Sequence, residues 1–138
     1  MQVVNAVTPD LQQAGEFFAS PEDGPFVMVN LLKFKPRAEY ADGSDAELTG
    51  REAYARYGEA VRKLVEALGG RIRYSGAVTG LLLGEVEELW DMVALAEYPS
   101  LAAFWAMAMS SEMHAIEHHR KAGLAGQLNI RTKPGEGF

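Results

Sequence analysis

The chain has 138 residues, 19 of them acidic and 13 basic, for a net charge of −6, and 48% are hydrophobic. That length supports one domain with its own core, and the acidic balance argues against nucleic acid and anionic membrane surfaces as partners. With no cysteine, thiol catalysis, disulfides, thiolate zinc sites and iron–sulfur clusters are excluded, and a reducing compartment, the cytoplasm, is expected.

No basic N-terminal flank leads into a long apolar run, and no stretch approaches the roughly 20 apolar residues of a membrane span. Thr8-Pro9-Asp10 is expected to open a short helix, Thr8 capping it, with Leu11, Ala14, Phe17 and Phe18 on its apolar side. Ser20 to Pro25 is turn material. Phe26 to Phe34 is too short and too rich in Val and Phe for a helix and reads as the first strand. Polar residues 35–48 form a connection long enough to act as a lid.

Thr49-Gly50-Arg51-Glu52 has capping-box spacing, and Tyr54, Tyr57, Val61, Leu64, Val65 and Leu68 then recur at helical intervals until Gly69-Gly70. Arg71 to Leu83 alternates, with Ile72, Tyr74, Gly76, Val78, Gly80 and Leu82 on one face, and pairs as a hairpin with Leu89 to Tyr98. Ser100 opens an apolar helix, Ser110-Ser111-Glu112 caps another reaching about Lys121, and Leu124 to Ile130 reads as the last strand. The domain is expected over 25–131, with a helical extension at 1–24 and a loose tail at 132–138.

This order gives an α+β, ferredoxin-like split βαβ fold: a four-stranded antiparallel sheet with helices on one face, plus an N-terminal helix. The first strand is apolar on both faces: Phe26, Met28, Leu32 and Phe34 on one, Val27, Val29 and Leu31 on the other. Packing against an identical subunit is the simplest way to bury the second face, so a homodimer is expected. The alternative is that the short N-terminal helix covers it.

The segments Val27 to Phe34, Gly50 to Tyr57, Trp90 to Ser100 and His119 to Leu124 together resemble the domain of unknown function 1330 family. The resemblance runs from about Phe26 to Ile130. It implies a dimeric α/β barrel and no established reaction, and the wider superfamily spans oxygenases, haem-degrading enzymes, isomerases and binding proteins.

Asn30 and Lys33 interrupt the first strand on opposite faces, so they cannot share one simple site on it. Asn30 needs partners if buried, either within the protein or on a ligand that it would orient. Tyr54, Tyr57, Trp90 and Tyr98 are candidate walls of an apolar pocket between sheet and helices. Ala94, Ala96, Gly76 and Gly80 leave room beside them. His114-Ala115-Ile116-Glu117-His118 matches an inverted zinc-protease pattern, but both histidines point away from the inward Met113 and Ile116, and no metal site is expected. Arg120 falls on the inward side with His119 on its flank. Glu97, Asp91 or a C-terminal backbone carbonyl would pair Arg120 structurally, and a ligand anion would do so functionally.

These residues suggest a cofactor-independent small-molecule enzyme or binder. Asn30, His119 as acid or base, and Arg120 would carry its chemistry, with the four aromatics and Lys33 lining the site. The alternatives are haem binding or degradation through an Asn, Trp and His set, and a non-enzymatic dimeric binding module.

Overall fold

The computed structural model describes residues 1–135. Along the chain come α1 (Leu11–Phe18), β1 (Phe26–Phe34), α2 (Gly50–Ala67), β2 (Arg71–Ala77), β3 (Met92–Tyr98), α3 (Leu101–Ala108), α4 (Ser111–Gly123) and β4 (Leu124–Thr132). The strands form one antiparallel sheet in the order β2-β3-β1-β4, which is the split βαβ arrangement.

Local chemistry starts each helix. The expected capping box is complete on α2: the Thr49 hydroxyl accepts from Glu52 N at 3.1 Å, and the Glu52 carboxylate accepts from Thr49 N at 2.9 Å. Ser100 and Ser110 cap α3 and α4. At α1 the cap is Asp10, whose carboxylate accepts from Gln13 N, and not Thr8. Thr8 sits two positions too early because Pro9 extends the chain before the first turn instead of occupying it.

All four helices lie on one face of the sheet. Phe26, Met28, Ala96 and Tyr98 meet Val65 of α2, Met107 of α3 and Met113 of α4, with Phe17 of α1 against the same cluster. Phe18 of α1 also packs on Phe104 and Trp105. The N-terminal helix therefore thickens the helical layer and leaves the second sheet face uncovered. The residues before it are tied in as well, through a bridge between Ala6 and Gln127.

The uncovered face carries two apolar rows across the sheet. One runs Tyr74, Leu95, Val29, Ile130, and the next runs Gly76, Val93, Leu31, Leu128. Paired residues in antiparallel strands share a face, so each row is contiguous.

The second strand corrects the expectation from alternation. It ends at Ala77 instead of Leu83, and a register shift between Ile72 and Tyr74 sends Ile72 to the helical face and Tyr74 and Gly76 to the other. A Cβ on Gly76 would collide with the Tyr74 ring, so this glycine makes room for that ring and not for a pocket. Residues 78–91 form a loop in which Leu82 and Leu83 are 103% and 88% exposed. Their alternation has no partner strand to use it. The expected tail lies partly outside the described residues, and β4 runs two residues beyond the expected Ile130.

Candidate functional site

Between sheet and helices lies a cleft of about 1300 Å³. Its floor is the helical face of the sheet, with Met28 and Asn30 of β1, Ala94 and Ala96 of β3, and Asn129 of β4. Tyr54 and Tyr57 of α2 stand over this floor, and Glu117 and Arg120 of α4 close one side. Val7, Thr8 and Pro9 contribute from the N-terminal segment. The small alanines between Met92 and Tyr98 keep the floor low.

One hydrogen-bonded network ties these elements together. Arg120 Nη1 donates to the Val7 carbonyl at 2.7 Å and to Glu117 Oε1 at 2.9 Å, and its Nη2 donates to Gln127 Oε1 at 2.7 Å. Gln127 Nε2 donates in turn to Asn30 Oδ1 and Asn129 Oδ1. Asn30 Nδ2 donates to the Met28 and Ala94 carbonyls. No buried side-chain nitrogen or oxygen among the described residues lacks a partner.

This network reassigns two expected roles. The amide donors of Asn30 are spent on backbone carbonyls, so Asn30 fixes the floor and does not orient a ligand oxygen. Arg120 is inward as expected, but its partners are Glu117, Gln127 and the N-terminal Val7 carbonyl, not Glu97, Asp91 or a C-terminal carbonyl. Glu97 pairs with Arg71 and Arg73, and Asp91 with Lys33. With Glu117 beside it, Arg120 presents little net charge to an anion.

Free hydrogen-bonding capacity lies elsewhere. The Tyr54 and Tyr98 hydroxyls make no bond to any described residue, and both side chains line the cleft. Burial pushes the Tyr54 hydroxyl up to about 12, with Glu117 adding and Arg120 opposing. Burial and neighbouring Tyr54 also push Tyr98 and Tyr57 upward. All three therefore stay protonated at neutral pH and act as donors. Tyr57 has only a long contact to Met113 sulfur, at 3.8 Å. Glu117 Oε2 is likewise without a partner among the described residues.

Three expected site residues lie outside the cleft. Lys33 Nζ donates to the Leu89 carbonyl at 3.1 Å and lies 3.5 Å from Asp91, on the far face, as its parity requires. Trp90 precedes β3 instead of starting it, and its Nε1 donates to Asn5 Oδ1 at 2.8 Å. His119 follows the helix turn away from Arg120, because consecutive helical residues point about 100° apart. Its Nδ1 lies 2.7 Å from the Tyr40 hydroxyl, within the 35–48 connection. That connection is pinned to α4 and α2 by Glu39 N to the Ala122 carbonyl and by Arg56 to Asp45. None of its residues lines the cleft, so it is not a lid over it.

Of the Asn, Trp and His set that suggested haem, Asn30 and His114 both line the cleft, but Trp90 lies outside it, bonded to Asn5. His114 Nδ1 bonds the Ser110 carbonyl, His118 stacks near His119, and the described residues contain no group of three potential metal ligands.

The Tyr40–His119 contact sets a pH response. Arg56 Nη1 donates to the Tyr40 oxygen at 3.3 Å, which leaves the Tyr40 proton for His119 Nδ1 and requires a neutral ring. Burial, then His118, then Arg56 lower the His119 pKa below 6.5, against an opposing Asp45. Between that lowered value and 6.5 the unfolded chain binds the extra proton, so stability is complete above pH 6.5 and falls as the pH drops through this window. Urea midpoints measured from pH 7 to 5 are expected to fall less steeply in His119→Asn than in the wild type; parallel slopes would refute the coupling.

An antiparallel ferredoxin-like sheet with a side-chain-lined cleft on its helical face defines the class of protein. Within that class, the model for the domain of unknown function 1330 matches residues 44–132, and the chain belongs to this family. It is similar to a protein of unknown function from Rhodopseudomonas palustris at 36% identity, over 97% of this chain and 100% of that one, with a TM-score of 0.86. A methylated form of that protein gives 0.85 at the same identity and coverage. A dimeric protein of unknown function with a ferredoxin-like fold from Bacteroides fragilis shares the fold at 14% identity, over 80% of this chain and 96% of that one, with a TM-score of 0.51. No curated protein matches the chain. No helix among the described residues is long and apolar enough to cross a membrane.

Missing from the sequence reading were Glu117, treated only as part of a metal pattern, and Gln127. A usable signal existed for Glu117: it precedes Arg120 by three residues, the spacing of a helical ion pair.

Proposed function

We propose that the chain is a small-molecule enzyme or binder whose ligand is compact, largely apolar and carries a neutral oxygen. The observation that carries this reading is the pair of unspent hydroxyls, Tyr54 and Tyr98, above a floor kept low by Ala94 and Ala96. A neutral acceptor suits them better than an anion, because the nearby Arg120 is already matched by Glu117. Ligand-observed NMR with a panel of small cyclic ketones and phenols should detect binding to the wild type and none to Ala94→Phe, whose ring fills the floor. Equal signals from both proteins, or none from the wild type, would defeat the reading and leave a non-enzymatic module in its place.

The working unit of this proposal is a homodimer joined through the uncovered sheet face. Its support is the two apolar rows through Val29 and Leu31, with Ile130 45% and Tyr74 58% exposed. The Bacteroides fragilis protein of the same fold is dimeric. A partner on that face leaves the cleft, on the opposite side of the sheet, open to ligand.

A further inference from the structure

We infer that the cleft moves a proton between carbons of a small enolisable ketone, with Glu117 carrying the proton and Tyr54 and Tyr98 holding the oxygen. This rests on the small-molecule reading of the cleft and assigns it a reaction class.

Such a reaction needs a base fixed in place and a donor set aimed at the developing oxyanion. Glu117 supplies the first. Arg120 Nη1 holds Oε1 at 2.9 Å, which leaves Oε2 facing no protein partner on the wall of the cleft, with the side chain 31% exposed. The network from Arg120 through Gln127 to Asn30 anchors that arrangement to three strands, so the carboxylate is oriented before a ligand arrives.

Tyr54 and Tyr98 supply the second. They come from α2 and β3 and both line the cleft, so donors for a ligand oxygen stand on two of its elements. Tyr54, Glu117 and Arg120 line the same cleft, and the Tyr54 hydroxyl feels both of those charges. Hydroxyls that hold their protons at neutral pH share them with an enolate without transferring them outright.

The step balances without any other reagent. The C–H bond beside the carbonyl breaks, and its proton passes to Glu117 Oε2. The electron pair becomes a carbon–carbon double bond, and the carbonyl oxygen takes the negative charge between the tyrosine hydroxyls. Glu117, partly open to water, trades that proton with solvent and then returns one, either to the same carbon or to a conjugated one. The second outcome is an isomerisation, and the enzyme ends as it began. A carboxylate serves as base here because the oxyanion is held in a partly dry site.

The test uses full-length protein in D₂O with cyclohex-3-en-1-one, cyclopentanone and 4-phenylbutan-2-one as probes. Proton NMR follows exchange beside the carbonyl, and saturation transfer in the same tubes reports binding. The wild type is expected to exchange at least one bound probe faster than buffer does. Glu117→Gln should slow that exchange by about 10²-fold or more while still binding the probe, and Tyr54→Phe by about 10²-fold. Glu117→Asp, which keeps a carboxylate, should retain part of the rate and covers the case in which Glu117→Gln fails to fold. A probe bound by the wild type but exchanged no faster than in buffer, or equally fast by Glu117→Gln, overturns proton transfer and leaves the cleft a binding site. Absence of binding by every probe removes both readings.

Discussion

Gly123→Ala is expected to destabilise the protein by about 3 kcal/mol, the upper end of the cost of over-packing, because the atoms in the way are backbone and cannot swing aside. A Cβ at Gly123 would run into the Gly50 carbonyl oxygen and lie 2.8 Å from Tyr54 N; one at Gly50 would strike Lys35 O and lie 2.7 Å from Gly123 O. Three segments meet here. Lys35 N donates to the Gly123 carbonyl at 2.8 Å, and Gly50 N to the Lys35 carbonyl at 3.1 Å. Around them Ala53 and Ala122 are 0% and 1% exposed, so small residues line the closest approach of α2 and α4. The crossing sets how far Tyr54 stands from Glu117 and Arg120, and its loss would disturb the cleft as well as stability. Urea unfolding provides the measurement, with Gly15→Ala as control: it has nothing within 4 Å of its added Cβ and should gain about 0.5–1 kcal/mol. A Gly123→Ala midpoint equal to that of the wild type would mean that the helices do not need this close approach.

Much of this architecture was legible because its signals are local. The two-sided apolar run of β1, the Thr49 capping box and the serines before α3 and α4 fix those elements within a few residues of chain. Alternation through Leu83 misled because it describes a strand's faces and not its partner, and β3 begins only at Met92. Moving the start of β3 also moved Trp90 off the sheet and out of the site. The candidate site failed in a related way. His119 and Arg120 are neighbours in sequence, yet one turns to Tyr40 and the other to Gln127. Arg120 could be placed inward from helical periodicity, but Gln127 could not be named as its partner without knowing how β4 folds back beside α4. Tyr54 and Tyr98 were identifiable as wall residues from patterning. That their hydroxyls remain unspent follows only from seeing every neighbour in place.

Leu31→Asp tests the pairing of subunits with the other large effect. Leu31 sits mid-strand on the uncovered face, between Val93 on β3 and Leu128 on β4. In a monomer an aspartate there meets water at little cost, because nothing among the four helices packs on that side. In a two-fold dimer the same change buries two carboxylates between apolar sheets, with Lys33 of the same face already engaged by Asp91. The dimer dissociation constant should rise by roughly a thousandfold or more, about 4 kcal/mol, while the monomer keeps its helical core and its cleft. Sedimentation equilibrium across micromolar concentrations distinguishes the cases. The wild type should sediment as a dimer and Leu31→Asp as a folded monomer. If the wild type is itself monomeric, or if the variant dimerises as tightly as the wild type, the sheet face is not where subunits meet. Because the cleft lies on the opposite side of the sheet, Leu31→Asp should also retain ligand binding, so loss of pairing and loss of the site can be read separately.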